Sequence, residues 1–434
     1  MIKTFIGLFK QKELRRKILF TLGMLFIYRL GAGIPVPLVD ISKLTSTVTD
    51  NAIFGMMNLL GGGALQKFSI FAMGVGPYIT ASIIVQLLSM DVIPALTEMT
   101  KSGATGKKKL EKVTRYLTVV LALFQAFTLT YAFEVNYGIL TISNLSVMLY
   151  ITVVLSAGTM FLMWIGDRIS VFGIGNGISI LIFAGIVSHI PFDFYSIFNT
   201  LVDQTSGNAV MFAGIFNFAI YVLMYFVIIV LVIFTSTAVR KIPIQYTSSN
   251  LRKQKQDVTY LPLKINSASV IPVIFASAVM TAPATALSFF QSNTTVASVY
   301  TWLSTTLSFQ SPTGLAIYAF LVLLFTFFYT NLQVDTEKIA DDLGKQGTYI
   351  PGIRPGNETK VYLHKVLNRI TVLGATFLVF IAVLPYALPM FITALPNTVG
   401  IGGTGIIIVV GVALETMKDL EGQLTQKTYK GFFG

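Results

Sequence analysis

Apolar runs recur along this chain at the length a bilayer demands. A helix crossing a hydrocarbon core about 30 Å thick needs about 20 predominantly apolar residues, with a range of roughly 17 to 25. The pattern predicts ten such helices: Ile18 to Val36, Phe68 to Leu88, Tyr116 to Phe133, Val147 to Ile165, Gly173 to Ile190, Val210 to Phe234, Val270 to Phe290, Gly314 to Leu332, Ile370 to Met390, and Ile401 to Met417. The fifth and tenth are short and open on glycine-rich stretches, Gly173 to Gly177 and Gly400 to Gly405. They hold corresponding positions in two halves of five spans. With an odd number of spans per half, the second half enters the membrane from the opposite side, as in an inverted repeat. Interrupted helices at matching positions then point to a shared central pathway. The glycines would equally serve close helix packing, and the pattern leaves both readings open.

One apolar segment is too short to span. Ile53, Phe54, Met56, Met57, Leu59 and Leu60 lead directly into Gly61, Gly62 and Gly63. The segment reads either as a re-entrant element folded between helices or as an interfacial loop helix. Irregular backbone at membrane depth is tolerated only where protein or a cavity surrounds it.

Charge orients the spans. Of the 31 lysines and arginines, all but Arg29, Lys43 and Lys67 fall into six clusters: Lys3 to Lys17, Lys101 to Arg115, the single Arg168, Arg240 to Lys264, Lys338 to Arg369, and Lys418 to Lys430. Two crossings separate each cluster from the next, so all six return to one side. An excess of Lys and Arg in short loops marks that side as cytoplasmic, and both termini are expected there. The expected organisation is a cytoplasmic segment over 1–17, an N-terminal half over 18–190, a C-terminal half over 191–417 with cytoplasmic loops near 240–264 and 335–369, and a cytoplasmic tail over 418–434. The first apolar run follows a basic start but continues as a full span, so no cleavable signal peptide is expected.

Composition agrees with a polytopic membrane protein, since 54% hydrophobic residues against 12% charged exceed what a soluble domain shows. The net charge of +12 implies anionic neighbours. Anionic lipids alone would satisfy it, each juxtamembrane cation being worth roughly 1 kcal/mol at such a surface. The chain has no cysteine, which removes disulfides and thiolate chemistry. No paired carboxylates, HExxH, GxxxxGK[ST] loop or Ser/His/Asp set occurs, and His189 and His364 stand apart. Neither an enzyme nor a metal or other cofactor is expected. Arg29 is the one cation well inside a span; its structural reading is snorkelling or binding of backbone carbonyls, which is favoured over a substrate role. A secondary transporter built as an inverted repeat is the alternative class. The scarcity of intramembrane coupling residues speaks against it, although sodium sites made of carbonyls and hydroxyls would escape this test.

Several strings, in order, carry a more specific signal. They are Gly33-Ile34-Pro35-Val36-Pro37; Gly61-Gly62-Gly63-Ala64-Leu65; Gly74-Val75-Gly76-Pro77-Tyr78-Ile79-Thr80-Ala81-Ser82-Ile83-Ile84; Gly173 to Ile182; Leu261-Pro262-Leu263-Lys264-Ile265-Asn266; Tyr349-Ile350-Pro351-Gly352-Ile353-Arg354-Pro355-Gly356; and Gly402-Gly403-Thr404-Gly405. Through them the chain resembles the SecY/Sec61α family of protein-conducting channels, from about Leu14 to Leu420.

The resemblance implies an all-α polytopic membrane protein, its ten transmembrane helices forming two five-helix inverted-repeat halves around an hourglass pore. A lateral gate would lie between the second, third, seventh and eighth helices. The family's apolar constriction falls on Val75, Ile79, Ile178, Ile182, Ile274 and Ile408. Its plug falls on about 50–66, with Ile53, Phe54, Met56, Met57, Leu59 and Leu60 as the body and Gly61, Gly62 and Gly63 as a hinge. The family's partner-docking loops place Arg240, Lys241, Arg252, Lys253, Lys255 and Arg354 at the contact surface. The first loop carries six basic residues against Asp257; the second is nearly balanced, so its turn at Arg354 matters more than its net charge.

Implied partners are SecE-type and SecG-type small subunits, the SecA motor ATPase, the ribosome, and signal peptides with their nascent or preprotein chains. The implied location is the bacterial plasma membrane. Two departures stand out. The tip from Gln245 to Asn250 is less basic than the family's usual continuation, which puts individual docking contacts in doubt. Val75 and Gly76 replace bulkier residues, which would leave the constriction wider on that side.

Overall fold

The computed structural model describes residues 11–41, 58, 61–89, 93–202, 208–246, 259–287, 294–309, 311–391 and 398–430. The first five predicted spans correspond to helices α1 (Lys12–Ala32), α2 (Gly76–Leu88), α4 (Gly103–Tyr137), α5 (Leu145–Phe172) and α6 (Gly177–Leu201). The second five correspond to α7 (Asn208–Thr237), α8 (Ile271–Leu287), α10 (Pro312–Gln333), α12 (Asn357–Phe391) and α13 (Thr398–Lys430). Three further helices lie between spans: α3 (Pro94–Lys101), α9 (Thr294–Thr306) and α11 (Thr336–Lys345). Among the described residues, six helices are long and apolar enough to cross a membrane by themselves: α4, α5, α6, α7, α10 and α12. α2 and α8 are shorter apolar helices.

Outward faces are apolar. Phe212, Phe216, Leu223 and Phe226 of α7 and Val120 and Phe124 of α4 are exposed on the bundle surface, where a bilayer would solvate them. Inner faces pack through small residues. A Cβ at Gly158 of α5 would overlap the carbonyl of Ile70, and one at Gly177 the carbonyl of Gly166. At Gly177 the glycine is thus required for close helix approach.

Four sequence expectations change. The second span was expected to be helical from Phe68, but its helix begins at Gly76. Residues 61–75 form a series of turns held by Val36 N donating to Phe68 O (2.9 Å), Ile70 N to Ile34 O (3.1 Å) and a bridge between Pro35 and Ser69. Phe68 and Gly74 have positive φ, 41° and 55°, which breaks any helix there. The boundary between halves at 190/191 falls inside α6, which continues through Pro191 to Leu201. The glycines of the tenth span do not interrupt it, since Gly400 to Gly405 lie within α13.

The fourth change concerns the loops, which carry a sheet. Strands β1 (Val239–Tyr246), β2 (Thr259–Lys264) and β3 (Thr348–Tyr349) form an antiparallel sheet of order β2-β1-β3, with Ile242 paired to Leu261 and Gln245 to Tyr349. Ile242, Ile244 and Leu263 turn inward onto Leu343 of α11 and Leu363 and Ile370 of α12, with Ile350 beside them. Branched aliphatic residues on one face suit a half-buried pleated surface. The two loops are therefore one packed platform.

Tight packing makes one glycine irreplaceable and another dispensable. Gly158→Ala is expected to cost about 1–3 kcal/mol, the range for overpacking. Gly23, which has nothing within 4 Å of a built Cβ, should accept alanine at no loss. Thermal unfolding of the two variants in detergent checks the contrast.

Candidate functional site

Four helices bring the predicted constriction residues into one apolar cluster. Val75 caps α2 at its N-terminus and Ile79 lies one turn in, Ile79 N donating to Val75 O at 3.1 Å. Ile182 of α6, Ile274 of α8 and Ile408 of α13 join them in the same buried cluster, and half-buried Ile178 packs against it. Ile178 also presses on α5, its Cγ1 standing 2.8 Å from where a Cβ on Gly166 would be. Burial does not single these six out, for Ile180, Leu181, Ile406 and Ile407 belong to the same cluster. No Lys, Arg, Asp or Glu is buried among the described residues. An aliphatic cluster of this kind favours dewetting.

The start of α6 is fixed by side chains the sequence reading passed over. Asn176 is its N-cap, Oδ1 accepting from Ile178 N (3.1 Å) and Ser179 N (3.3 Å). Ser170 Oγ accepts from Gly177 N at 2.8 Å, and Thr21 Oγ1 of α1 from Ile174 N at 3.3 Å. An Asn directly before an apolar helix is a start signal, and it was legible within the glycine-rich string. These bonds set the direction in which Ile178 and Ile182 enter the cluster.

Of the expected plug, Ile53, Phe54, Met56, Met57, Leu59 and Leu60 lie outside the described residues, whereas Asn58 and the glycines do not. Gly61, Gly62 and Gly63 are buried. Gly62 and Gly63 have φ of 67° and 80°, a region glycine enters at little cost. A Cβ on Gly62 would lie 2.6 Å from both Gly185 Cα and Tyr28 Oη, and one on Gly63 would strike His189. Gly63 N donates to Asn58 O (2.8 Å), and Gln66 N to Asn58 Oδ1 (2.9 Å). Tyr28 Oη donates to Gly61 O at 3.1 Å and Arg29 Nη1 to Gly62 O at 2.9 Å. The glycines expected as a hinge form a tight, anchored turn in this structure. Arg29 binds a main-chain carbonyl, as its structural reading held.

The docking residues divide in two. Arg240 and Lys241 are exposed on β1, and Arg354 is exposed at the tip of a turn whose Gly352 and Gly356 have φ of 83° and 96°. The tip is held by Thr359 Oγ1 donating to Arg354 O (2.8 Å) and Ile353 N to Ile350 O (3.1 Å), with Ile350 buried in the platform core. Arg252, Lys253 and Lys255 lie outside the described residues. Contacts also join basic clusters distant in sequence: Lys17 Nζ donates to Gln423 Oε1 (3.0 Å), Arg115 pairs with Asp167 (2.7 Å), and Lys418 Nζ donates to Ser236 O (3.3 Å).

A helical bundle with an apolar outer surface, no charged side chain buried among the described residues and an irregular segment buried among its spans is that of a multi-pass membrane protein. A family model described as SecY matches residues 69–417. Proteins named protein translocase subunit SecY are 46% identical in Bacillus subtilis strain 168, over all of this chain and 99% of that protein, and 46% identical in Halalkalibacterium halodurans, over all of both chains. This chain belongs to the SecY family. Its fold is similar to a solved protein-conducting channel (TM-score 0.69, 19% identity, 94% of this chain and 91% of that one). It is also similar to Sec61 in a canine ribosome-channel complex (TM-score 0.65, 18% identity, 94% and 91%).

The cap at Asn176 can be tested directly. Asn176→Ala is expected to lower stability by about 1 kcal/mol, within the 0.5–2 kcal/mol typical of lost N-caps. Denaturant titration followed by tryptophan fluorescence measures it, and Asn176→Asp, which keeps an acceptor, should retain most of the stability.

Proposed function

We propose that this chain is the channel subunit of a protein translocase, through which unfolded secretory polypeptides cross the membrane and from which hydrophobic segments leave sideways into lipid. The observation that carries this reading is identity of 44–46% to SecY translocase subunits over the full length of the chain. The chain is not a catalyst; its work is to hold a path that seals when idle. SecY family membership sets aside the inverted-repeat transporter.

In this reading Val75, Ile79, Ile178, Ile182, Ile274 and Ile408 make the constriction, and the segment around Ile53 to Gly63 is the plug. An apolar ring excludes ions by dewetting and has no fixed charge to hold a passing chain. The platform bearing Arg240, Lys241 and Arg354 faces the cytoplasm with both termini and receives a ribosome or a SecA-type motor, which supplies the energy. Arg252, Lys253 and Lys255 are proposed as further docking residues of the same loop. SecE-type and SecG-type small subunits complete the complex in a bacterial plasma membrane, and the remaining basic clusters meet anionic lipids. One relative in fold is Sec61 in a ribosome-channel complex, which supports a ribosome as the kind of partner.

Reconstitution into vesicles with a secretory precursor, a motor ATPase and ATP tests the whole reading. Protease-protected precursor is expected inside, and its absence under every partner combination would refute the channel. Ile408→Asn places an unsatisfied amide in the apolar cluster, a cost of about 1–3 kcal/mol to the closed state. It is expected to raise idle ion leak and pass precursors with defective signals; unchanged leak and selectivity would count against the ring. Arg354→Glu should weaken motor or ribosome binding by about tenfold, or 1.4 kcal/mol, measured by sedimentation with membranes.

A further inference from the structure

From Ile265 to Val334 the chain carries no Lys, Arg, Asp, Glu or His. That stretch holds α8, α9 and α10. α8 leaves the platform after β2 and α10 returns to it ahead of α11, so α9, between them, lies at the end of the bundle opposite the platform. α9 has two unlike exposed faces. Ser298, Thr301 and Thr305, at helical spacing, make a hydroxyl face, on which Thr305 Oγ1 donates to Thr301 O at 2.8 Å. Beside it Val299 and Trp302 stand one turn apart, 49% and 63% exposed, while Leu303 is half-buried.

The helix is held firmly in this attitude. It packs on α8 and α10. Just beyond it, Leu307 N donates to Leu303 O at 2.8 Å, and Phe309, 2% exposed, is stacked on Tyr386 of α12 at 5.0 Å and meets Tyr318 of α10 edge-on at 5.2 Å. A Cβ on Gly314 would overlap the carbonyl of Ser308, so the start of α10 is pressed against the end of this connection. Val299 and Trp302 are therefore presented outward by a fixed support.

We propose that α9 is an interfacial helix whose partner is the lipid surface: it lies among the headgroups of the leaflet opposite the platform, with Val299 and Trp302 turned into the boundary with the acyl chains. The spans α8 and α10 end at this level, where headgroups must begin. An indole, apolar in its body and polar at its N–H, suits that boundary. The helix has no cation to draw it to anionic headgroups, so apolar area alone seats it, independent of lipid charge. By joining the far ends of α8 and α10 it fixes the depth at which both leave the membrane. The anchor requires only that the bundle sits in a bilayer, and so stands apart from the channel reading.

Brominated lipids test the placement. The complex purified from native membranes is reconstituted into phosphatidylcholine vesicles carrying bromine either near the headgroup end of the acyl chains or near their tips. Trp164→Phe leaves Trp302 as the only tryptophan of this chain, and Trp164→Phe with Trp302→Phe supplies the background of the partner subunits to subtract. Both variants keep an aromatic ring, and an unchanged unfolding midpoint shows that folded protein is being read. Trp302 is expected to lose about half of its emission or more to bromine near the headgroups, the level about 5–10 Å deep at which interfacial helices bury their apolar face. Bromine at the chain tips and aqueous iodide should each quench it less, and added phosphatidylglycerol should change nothing. Quenching by iodide with none by either lipid would place α9 in water and overturn the anchor. Protection from all three quenchers would put a protein partner over Trp302 and overturn it equally, as would quenching that needs phosphatidylglycerol.

Discussion

Backbone polar groups have no water to turn to inside a hydrocarbon layer, and each one left unpaired costs several kcal/mol. The stretch from Gly61 to Val75 has to meet that demand without being a helix. It does so by burial within the bundle and by borrowing partners: the strand-like residues after α1 pair with Phe68 and Ile70, and α1 itself donates to Gly61 and Gly62. Once this segment is locked, the position of α2 is set, and with it Val75 and Ile79. The short α2 and the irregular approach to it are thus two aspects of one solution.

The same economy governs the interior. With no charged side chain buried among the described residues, the bundle is held by aliphatic packing and by small residues that bring helices together. Apolar packing is non-directional, so direction has to come from the helix starts. At α6 it comes from Asn176, Ser170 and Thr21; at α2 it comes from the turn ahead of Val75. Polar contacts place the frame, and the apolar contacts then close it.

Length and hydropathy made the ten spans legible, because a bilayer sets the length of an apolar run regardless of tertiary context. The start of α2 was not legible, since Phe68 to Val75 is as apolar as a helix and only contacts with residues 34–36 keep it unwound. The sheet escaped for a related reason: β1 pairs with β2 across a long connection and with β3 a hundred residues away, and such pairing leaves little local trace. The fifth span was expected to end at Ile190, but α6 continues through Pro191 to Leu201. The six aliphatic residues of the proposed constriction carry no signal that periodicity could separate from core packing. They were reached through the ordered family strings, and the structure gathers them with many equally buried neighbours. The triple glycine drew attention as a hinge because glycine permits motion; here the same lack of a Cβ permits close contact with Gly185 and His189.

The central claim is that translocating polypeptide threads the cluster containing Ile79 and Ile408. Photo-crosslinking a precursor arrested midway in native-membrane vesicles, with the probe placed in turn at Ile79, at Ile408 and at outward-facing Phe226, tests it most directly. The account predicts that Ile79 and Ile408 both capture the same short window of the arrested chain and that Phe226 captures lipid. Capture at Phe226 with none at Ile79 or Ile408 would contradict it.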